Sequence, residues 1–286
     1  MAVSVEDVKR LRNRTGAGMA DCKKALDEAN GDMEEAIEIL RKKGAATAAK
    51  RADHSANEGV ITTATSADHR SAAIVEVNCE TDFVARNEGF TDFTRKLADY
   101  VLESKPASME ALLAGTIDGT TVQDHLNDLL AKFSERIEIR RFEVLDASNG
   151  VVADYVHNGD KLAVLVEFSG EGDLSGLTGL GRDIAMQVAA MNPAFVSRES
   201  VPGEVLEKEK EIYLEQVANE GKKPEFADKI VAGRIEKFFT ESTLLEQSYV
   251  KDSSKQVREV LAEAGKEIGT PVSVVRFLRY NLGEQN

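Results

Sequence analysis

The chain has 286 residues, a formal net charge of −14 and a hydrophobic fraction of 42%. This length predicts about two domains or three small modules, with enough apolar residues for a packed core. Acidic residues outnumber basic ones by 50 to 36, which disfavours a general nucleic-acid binder because attraction to phosphates needs clustered Lys and Arg. The two cysteines, Cys22 and Cys79, are too few for a disulfide scaffold or a four-ligand zinc site.

No apolar run approaches the roughly 20 residues that span a bilayer, and the first 14 residues carry charges where a signal peptide is apolar. We therefore expect a cytoplasmic protein with reduced cysteines and with neither a membrane nor a nucleic-acid partner. Residues 1–55 hold 11 basic and 10 acidic side chains, a net of +1, whereas the remainder holds 25 and 40, a net of −15. A near-neutral head on an acidic body indicates two surfaces with different roles.

The first 55 residues have the spacing of three short helices. The first helix is predicted after an N-cap at Ser4, with apolar side chains three residues apart at Val5, Val8 and Leu11. A Gly-rich turn follows, and the second helix has an apolar stripe of Met19, Cys22, Leu26 and Ala29. Asp32 and Glu35 have the spacing of a capping box that opens the third helix. Residues 44–57 are predicted to be a linker.

From residue 59 the pattern changes to strands and occurs twice. Residues 60–65 and 72–77 are predicted to form a hairpin. Residues 59–79 align without gaps with residues 150–170, with five identities and four further positions that are apolar in both copies. The duplication predicts two related α+β subdomains side by side.

Amphipathic spacing predicts three further helices, whose stripes contain Phe93, Leu97 and Val101, then Val122, Leu126, Leu129 and Phe133, then Leu177, Leu180, Ile184, Val188 and Met191. Residues 137–145 are predicted to be a strand. Residues 205–217 and 226–239 are highly charged, which predicts an antiparallel helical hairpin that projects from the body. A last helix at residues 257–264 precedes a strand at residues 272–282, which we expect to join the second sheet.

The predicted fold class is therefore α+β, with antiparallel sheets. An N-terminal three-helix module occupies residues 1–55, and the first core subdomain occupies residues 56–146. The second core subdomain is discontinuous, with residues 147–200 and 242–286, because the helical hairpin at residues 201–241 is inserted into it.

The residues show no constellation that would support an enzyme. The four histidines lack metal-ligand spacing, and the glycines at positions 176, 179 and 181 lack the preceding strand that a dinucleotide-binding loop requires. We expect no catalytic residue, no metal and no cofactor. Cys79 is interpreted as a buried cysteine at a strand end, because the neighbouring carboxylates of Glu80 and Asp82 would raise the pKa of its thiol. A basic string is interpreted as the solvated face of the first helix, with a protein contact left open: Lys9, Arg10, Arg12 and Arg14.

The segment at residues 78–87 follows the second strand directly and has no equivalent in the second copy, which lacks an aromatic residue there. Two interpretations are open. Thr81 or Asp82 caps a short helix and Phe83 packs inward, or the corner presents Phe83 as a protrusion. The sequence pattern does not separate these alternatives.

Two long motifs resemble signatures of the bacterial elongation factor Ts family. Residues 8–12 and 15–26 are similar to the family's opening signature, and residues 76–85 (EVNCETDFVA) are similar to its second signature. The helix at residues 184–190 and the hairpin with its Lys-Pro turn extend the resemblance over nearly the whole chain. The family implies a UBA-like three-helix module, two related core subdomains and a coiled-coil protrusion, as the pattern predicts independently.

The resemblance implies a guanine-nucleotide exchange factor that binds elongation factor Tu in its GDP-bound and nucleotide-free states. Phe83 is then a wedge that disturbs the magnesium site of the partner, and three neighbours shape it: Thr81, Asp82 and Val84. The N-terminal module contacts the same nucleotide domain through Arg12 and Met19. His157, on the hairpin of the second subdomain, contacts another domain of the partner.

Two alternatives belong to other functional classes. The first is a translation-associated binding scaffold without exchange activity, and the second is a structural protein that self-associates through residues 205–239. The resemblance leaves open a heterodimer and a heterotetramer with the partner. Longer family members have a further C-terminal helical module, so we expect the N-terminal module to carry more of the interaction in this chain.

Overall fold

The computed structural model describes residues 3–51, 53–221 and 223–284. The N-terminal module consists of α1 (Val5–Thr15), α2 (Met19–Glu28) and α3 (Met33–Lys50). The Ser4 hydroxyl caps α1 by accepting the amide of Asp7, and Gly16 ends α1 with a φ of +70°, a conformation that glycine adopts without strain. Leu11, Cys22 and Leu26 are fully buried between the helices, as predicted, whereas Met19 is 38% exposed and lies outside this core.

The prediction of a linker from residue 44 is wrong, because α3 continues to Lys50. Residues 45–50 are rich in helix-forming alanine, and the helix is supported by α7 (Val122–Phe133). A Cβ atom at Gly44 would clash with the carbonyl oxygen of Asn127, so glycine permits close approach of the two helices. Arg41 also donates to both carboxylate oxygens of Asp128, at 2.8 and 3.1 Å. The N-terminal module therefore packs directly on the first core subdomain.

Two antiparallel sheets of three strands form the core. The first has the order β1 (Glu58–Thr65), β2 (Ser71–Cys79) and β5 (Ile137–Asp146). The second has the order β6 (Gly150–Val156), β7 (Leu162–Ser169) and β10 (Ser273–Asn281). In each sheet the first two strands are the predicted hairpin and the third arrives from a distant part of the chain. These sheets and the N-terminal helices confirm the α+β class.

The repeat includes the third strands as well as the hairpins. Glu76 of β2 lies opposite Arg141 of β5, and Glu167 of β7 lies opposite Arg276 of β10. Each pairing is followed by a bulge, at Arg140 in one sheet and at Val275 in the other. The same register and the same irregularity therefore occur in both sheets, although β5 and β10 were not part of the sequence alignment.

The two sheets pack face to face, with helices on their outer faces. Side chains of both sheets share one buried cluster between them, including Ile61, Ile74, Val152 and Leu165. The outer face of the first sheet is covered by α5 (Glu88–Ser104) and α7. The outer face of the second sheet is covered by α8 (Thr178–Met191) and α11 (Val257–Ile268). The core is thus a four-layer arrangement of helix, sheet, sheet and helix.

The charged segment after α8 forms the predicted antiparallel helical hairpin of α9 (Gly203–Asn219) and α10 (Pro224–Ser242). Its small buried core contains Val217, Val231, Ile235 and Phe239. The short helix α4 (Asp82–Ala85) follows Thr81, where one of the two interpretations of this segment had a short helix. Short elements that the sequence pattern did not predict are α6 (Met109–Ala114), β3 (Thr116–Ile117) with β4 (Thr120–Thr121), and β8 (Ser248–Tyr249) with β9 (Asp252–Gln256). None of the helices within the described ranges combines the length and the apolar character that crossing a membrane requires.

Candidate functional site

The corner, residues 80–87, connects β2 to α5 and contains the single helical turn α4. Phe83 is 84% exposed there, more than any other large apolar side chain among the described residues. The interpretation in which Phe83 packs inward is therefore wrong. The nearby Phe93 does lie in the core of the first subdomain, as predicted. The corner presents an aromatic ring to the outside.

The opposite side of the same turn is anchored in the core. Val84 and Ala85 are buried in one cluster with Phe90 and Phe93. A helix of four residues is unstable by itself because nucleation fixes several dihedral angles for one hydrogen bond. Burial of the two apolar side chains therefore holds the turn in place. Val84 lies on the buried side of the turn and is only 4% exposed, so it offers a partner little surface.

Polar contacts join the corner to the segment between α7 and β5. Thr81 donates to the Glu135 carboxylate from its hydroxyl at 2.9 Å and from its backbone amide at 3.2 Å. In return, the backbone amide of Arg136 donates to Oε1 of Glu80 at 2.6 Å. We call this reciprocal set of bonds between residues 80–81 and 135–136 the clasp. Hydrogen bonds to charged groups are shorter and stronger than neutral ones, so the clasp fixes the start of the corner.

Glu80 also binds the segment that follows α3. Arg51 Nη1 lies 2.8 Å from both carboxylate oxygens, and Nδ1 of His54 lies 3.2 Å from Oε2. Partial burial opposes the charged form of Glu80, but hydrogen bonds from the Arg136 amide, from Arg51 and from His54 outweigh it, and the pKa of Glu80 lies below its ordinary value. The carboxylate thus connects the N-terminal module to the corner.

The Cys79 side chain is buried just before the corner, and its Sγ lies 3.2 Å from the carbonyl oxygen of Thr81. Burial, followed by the negative charge of Glu135, raises the pKa of the thiol to about 12. The interpretation as a buried cysteine at a strand end is confirmed. The sequence assigned the electrostatic effect to Glu80 and Asp82, whereas Glu135 is the charge with the largest effect on the pKa of the thiol.

The exposed face of the corner carries two opposite charges beside Phe83. Asp82 and Arg86 form an ion pair of 3.1 Å across one helical turn, with 42% and 80% of their side chains exposed. Such an exposed pair contributes at most about 1 kcal/mol to stability. Both groups are therefore free to exchange this contact for one with another molecule.

Arg12 and Met19 lie on the N-terminal module, on either side of the turn between α1 and α2, and both are exposed. Lys132 of α7 connects this turn with the corner. Its Cδ lies 2.9 Å from the position that a Cβ of Gly16 would occupy, and its ammonium group donates to Oδ1 of Asn87 at 3.3 Å. The turn of the N-terminal module and the corner are thus neighbours on the surface.

His157 is exposed at the turn between β6 and β7, where Nδ1 lies 2.8 Å from the Tyr155 hydroxyl. In the same turn, Lys161 donates to Glu58 at 2.6 Å, and Glu58 is paired with Cys79 at the start of the corner. The predicted contact residues therefore lie at one end of the two packed sheets, although they come from three parts of the chain.

The structure also bears on the other predicted chemistry. No group of three or more His, Cys, Asp or Glu side chains suited to a metal ion occurs among the described residues. The Gly-rich segment near residue 180 serves packing, because a Cβ at Gly181 would lie 2.7 Å from the Cβ of Ala153. The basic string on α1 is exposed to solvent, as predicted.

Residues 80–284, which begin at the corner, match the family model described as Elongation factor TS. The chain belongs to the elongation factor Ts family. It is 47% identical over 283 residues to Elongation factor Ts of Clostridium perfringens, covering 99% of this chain and 93% of the relative. It is 48% identical over 285 residues to Elongation factor Ts of Prosthecochloris aestuarii, covering 98% and 99%. It is also 48% identical over 287 residues to Elongation factor Ts of Chloroherpeton thalassium, covering 99% of this chain and 99% of the relative.

Sequence reasoning on this member of the elongation factor Ts family missed the residues that hold the corner. Glu135 and Arg136 lie more than 50 positions from Thr81, and Arg51 lies in the predicted linker. One signal was present, since Glu135 stands two residues before the predicted strand at residue 137. Its significance depended on which strand pairs with β2, and the sequence pattern did not establish that pairing.

Proposed function

We propose that this chain is a guanine-nucleotide exchange factor for elongation factor Tu, which binds the GDP-bound form, promotes release of GDP and allows GTP to bind. Membership of the elongation factor Ts family supports the partner and the reaction. The observation that carries the mechanism is the 84% exposure of Phe83 on a turn that is anchored from beneath. We propose that this ring is inserted into the nucleotide domain of the partner.

The exposure of an aromatic side chain to water is unfavourable. Full burial of a Phe side chain is worth about 1.5–3 kcal/mol, and this chain forgoes that gain in the isolated state. A rigid aromatic ring brings a large apolar area to an interface with few rotamers to restrict. Phe83 can therefore supply binding free energy that is gained only when the partner opens a space for the ring.

Exchange then follows from linkage. Magnesium and the phosphate-binding backbone provide much of the affinity of a bound nucleotide. If the factor binds best to a form of the partner in which this site is disturbed, then the nucleotide must bind less tightly in the presence of the factor. The factor leaves again, so it accelerates exchange without selecting the nucleotide, and an excess of GTP over GDP would set the direction.

We propose that the remaining contacts lie around this wedge. Asp82 is placed to repel phosphate oxygens or to interact with the magnesium shell, and Thr81 and Val84 fix the position of Phe83. Arg12 and Met19 would contact the same nucleotide domain, because their turn adjoins the corner through Lys132. His157 would contact a second domain of the partner from the hairpin of the second sheet.

The test is the release of a fluorescent GDP analogue from elongation factor Tu, followed by stopped flow with a substoichiometric amount of this protein. We expect the wild type to accelerate release and Phe83→Ala to lose at least about tenfold of the acceleration, which corresponds to about 1.4 kcal/mol. Affinity for nucleotide-free elongation factor Tu should change much less, because the other contacts are kept.

Phe226→Ala is the matched control, since Phe226 is also exposed, at 51%, but lies on the helical hairpin. This variant should accelerate the release of GDP from elongation factor Tu as much as the wild type does. If Phe83→Ala accelerates GDP release as much as the wild type does, the proposed role of Phe83 as a wedge is wrong. A wild-type protein that binds elongation factor Tu without accelerating release would contradict the exchange function and favour a binding scaffold.

A further inference from the structure

We propose that Glu135 is a positioning residue for exchange, which holds Phe83 in its exposed orientation by binding Thr81. The proposal rests on the proposed function, since it assigns a role within the same site. Glu135 is half-buried. Its carboxylate accepts two hydrogen bonds from Thr81, which is the residue that begins the turn bearing Phe83.

The Thr81 hydroxyl does not make the hydrogen bond that is usual at its position. Thr81 occupies the N-cap position of α4, where a Thr side chain ordinarily accepts a backbone amide of the first turn. Here the side chain makes no such bond and donates to Glu135 at 2.9 Å instead. Local capping of the turn is replaced by a contact with a carboxylate 54 positions away, so the turn depends on that carboxylate.

The segment that carries Glu135 begins directly after α7. α7 ends at Phe133, and Ser134 has a φ of +55°, a conformation that is uncommon for a residue with a side chain. The chain reverses there, which allows the Glu135 carboxylate to meet Thr81 while the next amide, of Arg136, meets Glu80. The two pairs of consecutive residues therefore bind each other reciprocally, which fixes both position and direction at the start of the corner.

The second copy of the repeat has a weaker contact at the equivalent position. Glu135 lies six residues before Arg141, and Thr270 lies six residues before Arg276, so the two occupy equivalent positions before the third strand. The Thr270 hydroxyl accepts the backbone amide of Glu171 at 3.2 Å. Both copies thus join the corner to the approach of the third strand. Only the copy that exposes an aromatic ring uses a carboxylate with two bonds.

The need for a stronger contact follows from what the corner presents. An exposed ring gains free energy if the backbone turns so that the ring covers nearby apolar surface, and a single helical turn resists this poorly. We therefore expect loss of the Glu135 contact to reduce the fraction of molecules that present Phe83 outward. The maximal rate of nucleotide release should fall more than the affinity for the partner, because the contacts of Arg12, Met19 and His157 do not involve the clasp.

The experiment measures release of the fluorescent GDP analogue from elongation factor Tu over a range of factor concentrations, which separates the maximal rate from the half-saturating concentration. Glu135→Gln and Thr81→Val should each lower the maximal rate by about fivefold to tenfold, with the half-saturating concentration changed less than about threefold. Their combination should lower it by less than the product of the two single effects, because both weaken the same contact. Thr81→Ser keeps the hydroxyl and should restore the wild-type rate. Thr270→Val is the matched control in the second copy. It should accelerate nucleotide release from elongation factor Tu as the wild type does.

A fluorescent reporter gives a readout that general destabilisation does not produce. The chain contains no Trp, so Phe83→Trp introduces a single one at the corner. In the folded protein, adding Glu135→Gln should shift the emission to shorter wavelength or reduce quenching by acrylamide, whereas adding Thr270→Val should do neither.

Folded Glu135→Gln that keeps the wild-type maximal rate would overturn the proposal. If Glu135→Gln fails to fold, Thr81→Val and Thr81→Ser test the proposal instead. Equal maximal rates of nucleotide release for these two variants would overturn it. Failure of the wild type to accelerate release would instead contradict the proposed exchange function, so the two failures are distinguishable.

Discussion

The two copies of the repeat have the same sheet order, the same register and the same bulge, yet their corners differ. Phe83 follows Cys79 by four residues and is 84% exposed, whereas Leu174 follows Gly170 by four residues and is 4% exposed. Cys79 and Gly170 are the last aligned positions of the two copies. The duplicated core is thus a common support, and the first difference between the copies lies in the connection that leaves the second strand.

The physical origin of this difference lies in the small residues of the second corner. Gly170 leaves no room for a side chain, since a Cβ there would lie 3.0 Å from the carbonyl oxygen of Pro271, and Gly172 has a φ of +78°. This compact connection lets Leu174 enter the core of the second subdomain. In the first corner the buried side chains are those of Val84 and Ala85, and Phe83 is directed outward.

The Glu–Arg ion pairs that join the second and third strands show a second difference between the copies. Arg141 donates to Glu76 at 2.7 Å, and the Glu76 side chain is fully buried. The guanidinium of Arg141 lies 3.9 Å from the ring centroid of Tyr280, so the end of β10 covers this pair. The equivalent pair of Glu167 and Arg276, also 2.7 Å, lies at the rim with half of the Arg side chain exposed. The same pair of residues is therefore structural in one copy and peripheral in the other.

The largest effect is expected from breaking the covered pair. Glu76→Gln removes the buried negative charge that faces Arg141 and should lower the free energy of unfolding by about 3–5 kcal/mol. Glu167→Gln should lower it by less than about 1 kcal/mol, since Arg276 is half exposed and stays hydrated without the partner. Urea unfolding of both variants measures the difference. Equal losses of unfolding free energy in the two variants would show that burial does not distinguish the two ion pairs.

A smaller contrast is expected at the two corner positions. Leu174→Ala should destabilise the protein by about 2–4 kcal/mol, because it removes a buried side chain and leaves a cavity. Phe83→Ala should change the free energy of unfolding by no more than about 0.5 kcal/mol, as for other exposed positions. Thermal or urea unfolding checks both values. A large loss in Phe83→Ala would mean that the ring packs within its own subdomain.

The smallest effect concerns the pH dependence at Glu80. Its pKa is lowered in the folded protein, so its carboxylate stabilises the fold above the unfolded pKa of about 4.3 and loses this contribution as the pH falls through the folded value. Glu80→Gln should lower the free energy of unfolding by about 1–2 kcal/mol at pH 7, and the gap to the wild type should close below about pH 4.

The control for this pH effect is the counterpart of Glu80 in the second copy, Glu171, whose side chain is exposed. Glu171→Gln should differ from the wild type by no more than about 0.5 kcal/mol at pH 7. A gap between wild type and Glu80→Gln that is constant from pH 7 to pH 3 would contradict the electrostatic role of the Glu80 carboxylate.

Most of the elements of this chain follow from its sequence. Apolar spacing places α1, α5 and α8 within a few residues of their observed bounds, and the duplicated alternation places both hairpins. The corner was singled out because its Phe-containing segment is absent from the second copy, which is itself a comparison within the sequence. These inferences succeed because the period of apolar residues reports directly which face of one element is buried.

Other features were decided only by the tertiary structure. The outward direction of Phe83, the continuation of α3 past Gly44 and the contact of Glu135 with Thr81 each depend on a second segment far away in the chain. Local periodicity shows that a surface is to be buried but does not show which surface will meet it. The family of this chain and its elements can therefore be read from the sequence, whereas the clasp that holds its exposed ring appears only when β5 takes its place beside β2.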